Sequence, residues 1–327
     1  MSSDDTATAP RLRVFAETVD DVRLCRPDVL GALRERGLQL VLADRCESHG
    51  PRAVIDAARE AGVSVALWPM LDDARGRWAS SANATELARF ARDRLDGLAA
   101  VGALPDELCL DLEPPLPRMR KALDTGVVLG RVSGDWARAT IELASLAEHA
   151  AGLGLSTWAA VVPLVLADRL GSPSWQRMLG TPVDGLPLGR VCVMLYTSLM
   201  TGYSRGALRR RDAEFLLARA ATRTKERFGA RASIALGATG RGALGDEATY
   251  RDVDELRADV AIIRAAGIDD IALFELGGVL ARRDWQTWLD ALVETDAPCP
   301  ALQPSRRARL LWWTSGAVSR AAALTRW

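Results

Sequence analysis

The sequence alternates eight times between a short apolar stretch of strand character and a longer stretch of helical character. Most of the helical stretches end at a glycine just before the next strand, which is a common way for a helix to stop. This alternation predicts an α/β fold in which parallel strands are joined by helices. The predicted strands are 12–16, 38–43, 63–70, 108–112, 155–165, 191–196, 232–238 and 271–276, and the predicted helices are 27–37, 51–62, 84–101, 135–152, 175–179, 211–229, 252–267 and 284–293.

Eight such units predict a closed (β/α)8 TIM barrel that forms a single domain over residues 11–296. The alternative is a doubly wound open sheet, but the first strand-to-helix turn, residues 16–19, has none of the glycines that this fold uses to bind phosphate. Residues 1–10 are expected to be a disordered leader. Residues 297–327 form a basic, tryptophan-rich C-terminal extension.

Composition limits the partners and cofactors that the chain is expected to bind. Lysine plus arginine equals aspartate plus glutamate at 42 each, so no overall charge favours nucleic acid. The chain has two histidines and five scattered cysteines without a C-x-x-C pair, which predicts neither a metal site nor a disulfide framework, and no cofactor is expected. Without a signal peptide or an 18-residue apolar stretch, the expected location is the cytoplasm.

The C-terminal extension has an amphipathic pattern. On a helix, Leu310, Trp313, Ala317, Ala321 and Leu324 fall on one face, with arginines beside it. This pattern is typical of a helix that lies at a membrane surface, so peripheral membrane contact is one interpretation. Packing against the bottom of the barrel, or self-association with a second subunit, is the other.

The strongest candidate for a functional site is the fourth strand, in the run 107–115. Asp111 and Glu113 are two residues apart, so both side chains point the same way, and Pro114 and Pro115 end the strand directly after them. Two inward-facing acids are costly to bury unless they have a function, although a buried ion-pair network with arginine is the structural alternative.

Other strand ends add acids and aromatic residues. In a TIM barrel the C-terminal ends of the strands line the active site. Carboxylates for acid–base chemistry and flat rings for sugar faces are what a glycosidase needs, and no strand end carries a lysine or a histidine cluster. Helix capping, loop contacts and core packing are the structural alternatives. The candidate residues are Glu17, Asp44, Trp68, Trp158, Tyr196 and Glu275, with Asp72 and Trp78 in a nearby loop.

The run 106–113 resembles the fourth-strand signature D-x-x-D-x-D-x-E of family 18 glycoside hydrolases, the chitinase-like TIM barrels. Asp106, Asp111 and Glu113 match that pattern, while Cys109 stands where the family has its second aspartate. The sixth-strand run 194–197 is similar to the family's M-x-Y-D, with Thr197 in place of the aspartate. On the eighth strand, residues 274–275 stand where the family usually has tryptophan and a polar residue.

The resemblance implies that Glu113 is the general acid that protonates the leaving oxygen. It also implies that Asp111 orients a substrate acetamido group acting as internal nucleophile, and that Tyr196 hydrogen-bonds the same group. A two-carboxylate route, with Glu113 as acid and Glu275 as nucleophile or base, is the alternative mechanism.

Two other functions stay open. Because Cys109 and Thr197 replace two family aspartates, the chain is alternatively a catalytically silent carbohydrate-binding barrel. The glycine-rich stretch 237–245 contains Arg241 and lies where many TIM barrels bind phosphate, so a lyase or isomerase of a phosphorylated metabolite is the third interpretation.

Overall fold

The computed structural model of the chain describes residues 11–48, 50–125, 131–169, 171–295 and 297–310. Eight parallel strands form a closed barrel in sequence order, and the register between β8 and β1, in which Leu12 pairs with Ile271, closes the ring. The predicted TIM barrel is therefore confirmed. The strands are β1 Leu12–Ala16, β2 Leu38–Arg45, β3 Val65–Met70, β4 Glu107–Leu112, β5 Ser156–Val161, β6 Arg190–Met194, β7 Ala232–Gly237 and β8 Ile271–Phe274.

The helices surround the barrel and also occupy some of the loops at its C-terminal mouth. Short helices α1, α8 and α11 and the longer α5 lie where the sequence predicted loops or strand ends. The fifth strand is shorter than predicted because Pro163 starts a 3-10 turn after Val161. The helices are α1 Asp21–Leu24, α2 Pro27–Glu35, α3 Arg52–Ala61, α4 Ala84–Ala100, α5 Leu116–Thr125, α6 Trp136–Gly152, α7 Ser174–Leu179, α8 Thr197–Tyr203, α9 Arg210–Phe228, α10 Val253–Ala265, α11 Leu276–Leu280 and α12 Trp285–Val293.

The strand side chains alternate between two apolar clusters. Those pointing outward, such as Val14 and Leu110, pack under the helices, and those pointing inward, such as Phe15 and Cys109, fill the barrel. This alternation follows from the two-residue period of a strand. It decides which residues at the strand ends can reach the mouth of the barrel.

The end of the barrel opposite the mouth is closed by a buried network of charged side chains. The Arg13 guanidinium, which is 1% exposed, donates to Gln39 Oε1 at 2.8 Å, to Glu107 Oε2 at 3.4 Å and to Asp270 Oδ1. Arg190 Nε lies 2.9 Å from Asp270 Oδ2 in a second ion pair. The arginine network that was the structural alternative for the fourth-strand acids thus lies at the other end.

The C-terminal extension begins on the outside of the barrel. Ser305 donates its backbone N–H to Asp212 Oδ1 at 2.7 Å, and Ala308 is fully buried. The predicted amphipathic face beyond Leu310 and the predicted leader 1–10 lie outside the described residues. None of the helices in the described part of the chain combines the length and apolarity needed to cross a bilayer.

Candidate active site

A cavity of about 340 Å³ opens at the C-terminal ends of the strands. Its volume suits a small ligand or one end of a larger one. The lining is largely apolar, with methionine and leucine side chains between the functional groups. The carboxylates that line it are Glu17, Asp111, Glu113 and Glu247, and the aromatic side chains are Phe15, Trp68, Trp78, Tyr196, Tyr203 and Phe274.

Asp111 and Glu113 lie side by side in this cavity, as the two-residue spacing predicted. They continue the inward-facing series of Glu107 and Cys109, and they are 4% and 8% exposed. The pKa of Glu113 is raised to about 8, mainly by burial. Hydrogen bonding with Asp111 and the charge of Arg77 lower it, and the charge of Glu17 adds to the rise. Glu113 therefore holds its proton at neutral pH.

The pKa of Asp111 is raised well above its ordinary value, first by burial and then by the Glu113 and Glu17 carboxylates. The Trp68 indole N–H is near enough to Asp111 to offset part of this shift, although the two make no hydrogen bond of normal geometry. Within the described residues, Asp111 Oδ1 and Trp68 Nε1 are both buried without a hydrogen-bond partner. Two polar atoms thus remain available to a ligand.

Glu17, unlike Glu113, is paired with a cation. Arg77, from the loop after β3, donates Nη1 to Glu17 Oε1 and Nε to Asp73 Oδ1 at 2.7 Å, and Arg45 lies 3.7 Å from Glu17. Burial raises the pKa of Glu17, and the two arginines counteract that effect. Arg77 precedes Trp78 in a loop and belongs to no strand, and it was not among the predicted site residues.

Aromatic rings form the walls of the cavity. Tyr196 and Phe274 are stacked with ring centroids 5.6 Å apart and planes inclined by 12°, and Phe15 packs edge-on against Trp68 at 5.1 Å. Burial, followed by the Glu113 and Asp111 charges, raises the pKa of Tyr196 well above its ordinary value, so its hydroxyl keeps its proton. Trp78, predicted as a loop residue near the site, also lines the cavity.

Asp44 does not reach the cavity. It follows the outward-facing Leu40 and Leu42 on β2, so its carboxylate points toward the helices, where Oδ2 accepts from Arg94 Nε at 2.8 Å and Oδ1 from Ser48 Oγ at 3.2 Å. These contacts join β2 to α4. The expected substrate contact of Asp44 is therefore replaced by a structural ion pair.

Trp158 lies inside the barrel below the cavity. It is 2% exposed, and the Arg13 guanidinium lies 4.9 Å from its ring centre. The register of β4 and β5 pairs Trp158 with Cys109 and pairs Asp111 with Ala160, so it is Ala160 that lines the cavity. Trp158 packs the core at the position where a sugar platform was expected.

Glu275 also points away from the cavity. Its Oε1 accepts from Thr18 Oγ1 and from the Gly278 N–H, both at 2.8 Å, and so caps the first turn of α11. Phe274, the residue before it, lines the cavity instead. The two-carboxylate route with Glu275 as second carboxylate does not agree with this placement.

The two departures from the family 18 pattern lie outside the lining. Cys109 is fully buried inside the barrel, where burial raises its thiol pKa well above the ordinary value. Thr197 is buried at the start of α8, where its hydroxyl donates to Asp259 Oδ2 and accepts from Arg210 Nη1 at 2.7 Å. Both residues therefore act through packing and hydrogen bonds behind the cavity wall.

The glycine-rich stretch 237–245 serves close packing. A Cβ on Gly278 would lie 2.2 Å from the backbone nitrogen of Gly240, and one on Gly242 would lie 2.9 Å from the Phe274 ring. Arg241 is exposed and does not line the cavity. The glycines thus allow this loop to approach α11 and Phe274.

Several lining residues were not predicted: Phe15, Met119, Tyr203 and Glu247. Phe15 is two residues before Glu17 and shares its direction, which is a signal that the sequence contains. Met119, Tyr203 and Glu247 come from α5, α8 and the loop after β7, whose positions no short-range pattern fixes. Among the described residues, no group of three or more His, Cys, Asp or Glu side chains is arranged to hold a metal ion.

Comparisons with known proteins indicate the fold. The sequence matches no protein-family model and no curated protein. The PgaB (BpsB) glycoside hydrolase domain from Bordetella bronchiseptica is similar at 13% identity and TM-score 0.55, over 86% of this chain and 98% of that one. A chitinase from Chromobacterium violaceum ATCC 12472 is similar at 11% identity and TM-score 0.51, over 87% of this chain and 98% of that one. An L-ribulose 3-epimerase matches at 15% identity and TM-score 0.43, over 96% of this chain and 97% of that one. The chain thus shares its TIM-barrel fold with the glycoside hydrolase domain and the chitinase.

Proposed function

We propose that the chain is a glycoside hydrolase in which Glu113 is the general acid. The main observation behind the proposal is the buried Asp111–Glu113 pair at the C-terminal end of β4. This pair lies in a cavity that is also lined by aromatic side chains. A carboxyl group that keeps its proton at neutral pH can protonate the leaving oxygen of a glycosidic bond. Burial gives Glu113 this property, with a pKa of about 8.

The other groups of the cavity have complementary roles in this proposal. Asp111 and the Tyr196 hydroxyl, both protonated, orient the substrate by hydrogen bonds. Glu17, paired with Arg77, is placed to stabilise the positively charged sugar ring of the transition state. Glu17 thus takes the place of Glu275 as the second functional carboxylate.

The nature of the lining supports a carbohydrate substrate. Sugar rings present apolar C–H faces that pack on aromatic rings, and Trp78 together with the Tyr196–Phe274 stack offers such surfaces. The same fold carries a glycoside hydrolase domain and a chitinase among the solved structures, which is consistent with the proposal.

A silent carbohydrate-binding barrel is the second candidate, favoured by Cys109 in place of a family aspartate. The interpretation as an enzyme of phosphorylated metabolites has less support, because no lysine, arginine or histidine from the described residues lines the cavity. An anionic phosphate group would then face carboxylates without a cation to neutralise it.

The test compares the parent protein with Glu113→Gln on two kinds of substrate. Chitin and β-1,3-glucan oligosaccharides have poor leaving groups that need an acid, whereas 4-nitrophenyl glycosides need it less. We expect a loss of at least about 100-fold on oligosaccharides and a smaller loss on the aryl substrates.

Glu148→Gln is the matched control, because Glu148 is exposed on α6, remote from the mouth. Unchanged oligosaccharide hydrolysis in Glu113→Gln would contradict the role of Glu113. Saturable oligosaccharide binding without any hydrolysis by the parent would favour the silent barrel.

A further inference from the structure

The loop between β7 and α10 brings one more carboxylate to the cavity. Glu247 is 8% exposed, and its Oε1 accepts the backbone N–H of Leu244 at 2.7 Å. A Cβ on Gly242 would lie 3.0 Å from the same oxygen, so the loop encloses the carboxylate closely. Glu247 is therefore held in place by its own loop before any ligand binds.

The second oxygen of this carboxylate has no partner. Glu247 Oε2 is buried, and no donor among the described residues reaches it. A buried carboxylate oxygen without a hydrogen bond is costly, so it is expected to have a partner when the protein functions. Because Glu247 lines the cavity, a ligand in the cavity is in a position to supply that donor.

The strand side of the cavity contains two further unpartnered polar atoms, Asp111 Oδ1 and Trp68 Nε1. The lining between them and Glu247 is mainly apolar and aromatic. The cavity therefore offers hydrogen-bonding groups from the strand ends and from the β7–α10 loop, with flat surfaces between. A sugar ring, with polar groups on its rim and apolar faces, has the matching distribution.

We propose that Glu247 is a substrate-binding residue whose Oε2 accepts a hydrogen bond from a hydroxyl or ammonium group of a sugar that carries no anionic group. The restriction on charge follows from the lining, which holds four carboxyl groups and no described lysine, arginine or histidine; Arg77 pairs with Glu17 from outside the lining. Uronic acids and sugar phosphates are therefore expected to bind much more weakly than neutral or amino sugars. The assignment deepens the proposed function and rests on it for the identity of the ligand as a sugar.

Binding is measured without turnover, in a Glu113→Gln background, by calorimetry and tryptophan fluorescence. The probes are N-acetylglucosamine, glucosamine and β-1,3-glucose trisaccharides. Glu247→Gln is the informative variant, since its Oε1 still accepts from Leu244 while an amide nitrogen, which cannot accept, replaces Oε2. We expect Kd to rise about tenfold to a hundredfold for each trisaccharide that binds the background protein.

Asp246→Asn is the matched control. It removes the same charge from the neighbouring position, and its Oδ1 still accepts from the Tyr203 hydroxyl, a contact of 3.0 Å in the parent. Asp246 is exposed and does not line the cavity, so Kd should stay within about twofold. Equal effects of the two variants would show that only the net charge of the loop matters, which would overturn the proposal.

The outcomes separate this inference from the hydrolase assignment. A loss confined to the glucosamine trisaccharide identifies an ammonium donor, and a loss for the uncharged sugars identifies a hydroxyl. Glu247-dependent binding in a parent that hydrolyses nothing keeps the inference and rejects the hydrolase. If Kd is unchanged in Glu247→Gln and hydrolysis depends on Glu113, the hydrolase assignment is kept and the role of Glu247 is rejected. Absence of binding for all three probes overturns the inference together with a carbohydrate ligand.

A ligand-side measurement on the parent does not depend on how the variants fold. Trigalacturonic acid, with three carboxylates, should bind at least about 100-fold more weakly than the best neutral or amino trisaccharide. Comparable affinities would contradict the proposed charge selection.

Discussion

The carboxylate of Glu17, which pairs with the guanidinium of Arg77, lines the same cavity in which Glu113 keeps its proton. One small volume thus contains a carboxyl group that keeps its proton, Glu113, and a carboxyl group that is paired with a cation, Glu17. A glycosidase requires this combination of a proton donor and a negative charge.

The proton on Glu113 predicts the alkaline limit of activity. Its pKa of about 8 lies above the ordinary value of 4.5, so the active, protonated form is lost as pH rises through about 8. The rate kcat/KM on an oligosaccharide, measured from pH 5 to 10, should fall on the alkaline side with a midpoint near 8. A plateau that continues to pH 10 would contradict the assignment of Glu113 as the acid.

The same shift predicts how stability depends on pH. The folded chain keeps the Glu113 proton between pH 4.5 and 8, where the unfolded chain releases it, so this stabilising contribution is complete below 4.5 and is lost as pH rises through 8. Glu113→Gln, which has no proton to lose, should therefore melt a few degrees above the parent at pH 9, with a difference that shrinks toward pH 5. A difference that is constant across this range would contradict the shift.

Removal of the Arg77 guanidinium should destabilise the folded chain. Arg77→Met leaves the Glu17 carboxylate buried with only Arg45, at 3.7 Å, to balance it, and we expect a loss of about 3 kcal/mol in the free energy of unfolding at pH 7. Glu17→Gln added to Arg77→Met should recover much of that loss, because no unpaired charge remains. Denaturant unfolding of the parent, both single variants and the double variant gives the coupling energy; additive effects would show that the pair is not coupled.

The hydroxyl of Tyr196 should matter for catalysis more than for stability. Tyr196→Phe keeps the stack on Phe274 and removes only a hydrogen-bond donor, so Tm should change little. We expect kcat to fall about tenfold or more with a smaller change in KM if the hydroxyl acts mainly in the transition state. Phe274→Leu, which removes the stacked ring and leaves the hydroxyl, is the matched comparison and should raise KM instead.

Glu275 should prove dispensable for the chemistry. Glu275→Gln keeps an oxygen that accepts from Thr18 and Gly278, so α11 should stay capped and both Tm and kcat should remain close to those of the parent. Glu275→Ala should lower stability by about 1 kcal/mol, as the loss of a helix cap usually does. Loss of activity in Glu275→Gln without loss of stability would restore Glu275 as a catalytic candidate.

The sequence contains more information about the site than its strand ends alone. The alternation of inward and outward residues places Glu17 in series with Phe15, and Asp111 with Cys109, and all four point inward. By the same alternation, Asp44 points to the opposite side of β2 from the inward-facing Val41. Glu275 likewise points to the opposite side from Phe274, which precedes it. Counting alternate residues along β2 and β8 would thus have excluded both acids.

The depth of a residue in the barrel is a different matter, because it depends on the stagger between neighbouring strands. Trp68 and Trp158 both face inward, and the registers on the two sides of β4 lead from each of them to Cys109, yet Trp68 lines the cavity and Trp158 does not. The two-residue period of a single strand gives no information on this difference in depth between Trp68 and Trp158. Arg77 and Glu247 were missed for a related reason, since each is placed by the contacts of an irregular loop.

The arginine network at the closed end has a consequence for how the barrel assembles. Arg13, Gln39, Glu107, Arg190 and Asp270 come from four different strands and the residue before a fifth. If β1 slipped by one residue, Arg13 would leave the interior and an apolar neighbour, Leu12 or Val14, would face the carboxylates of Glu107 and Asp270 without a cation. The network therefore penalises misaligned strands, and it fixes the stagger that brings Glu17 into the same cavity as Asp111 and Glu113 at the opposite end.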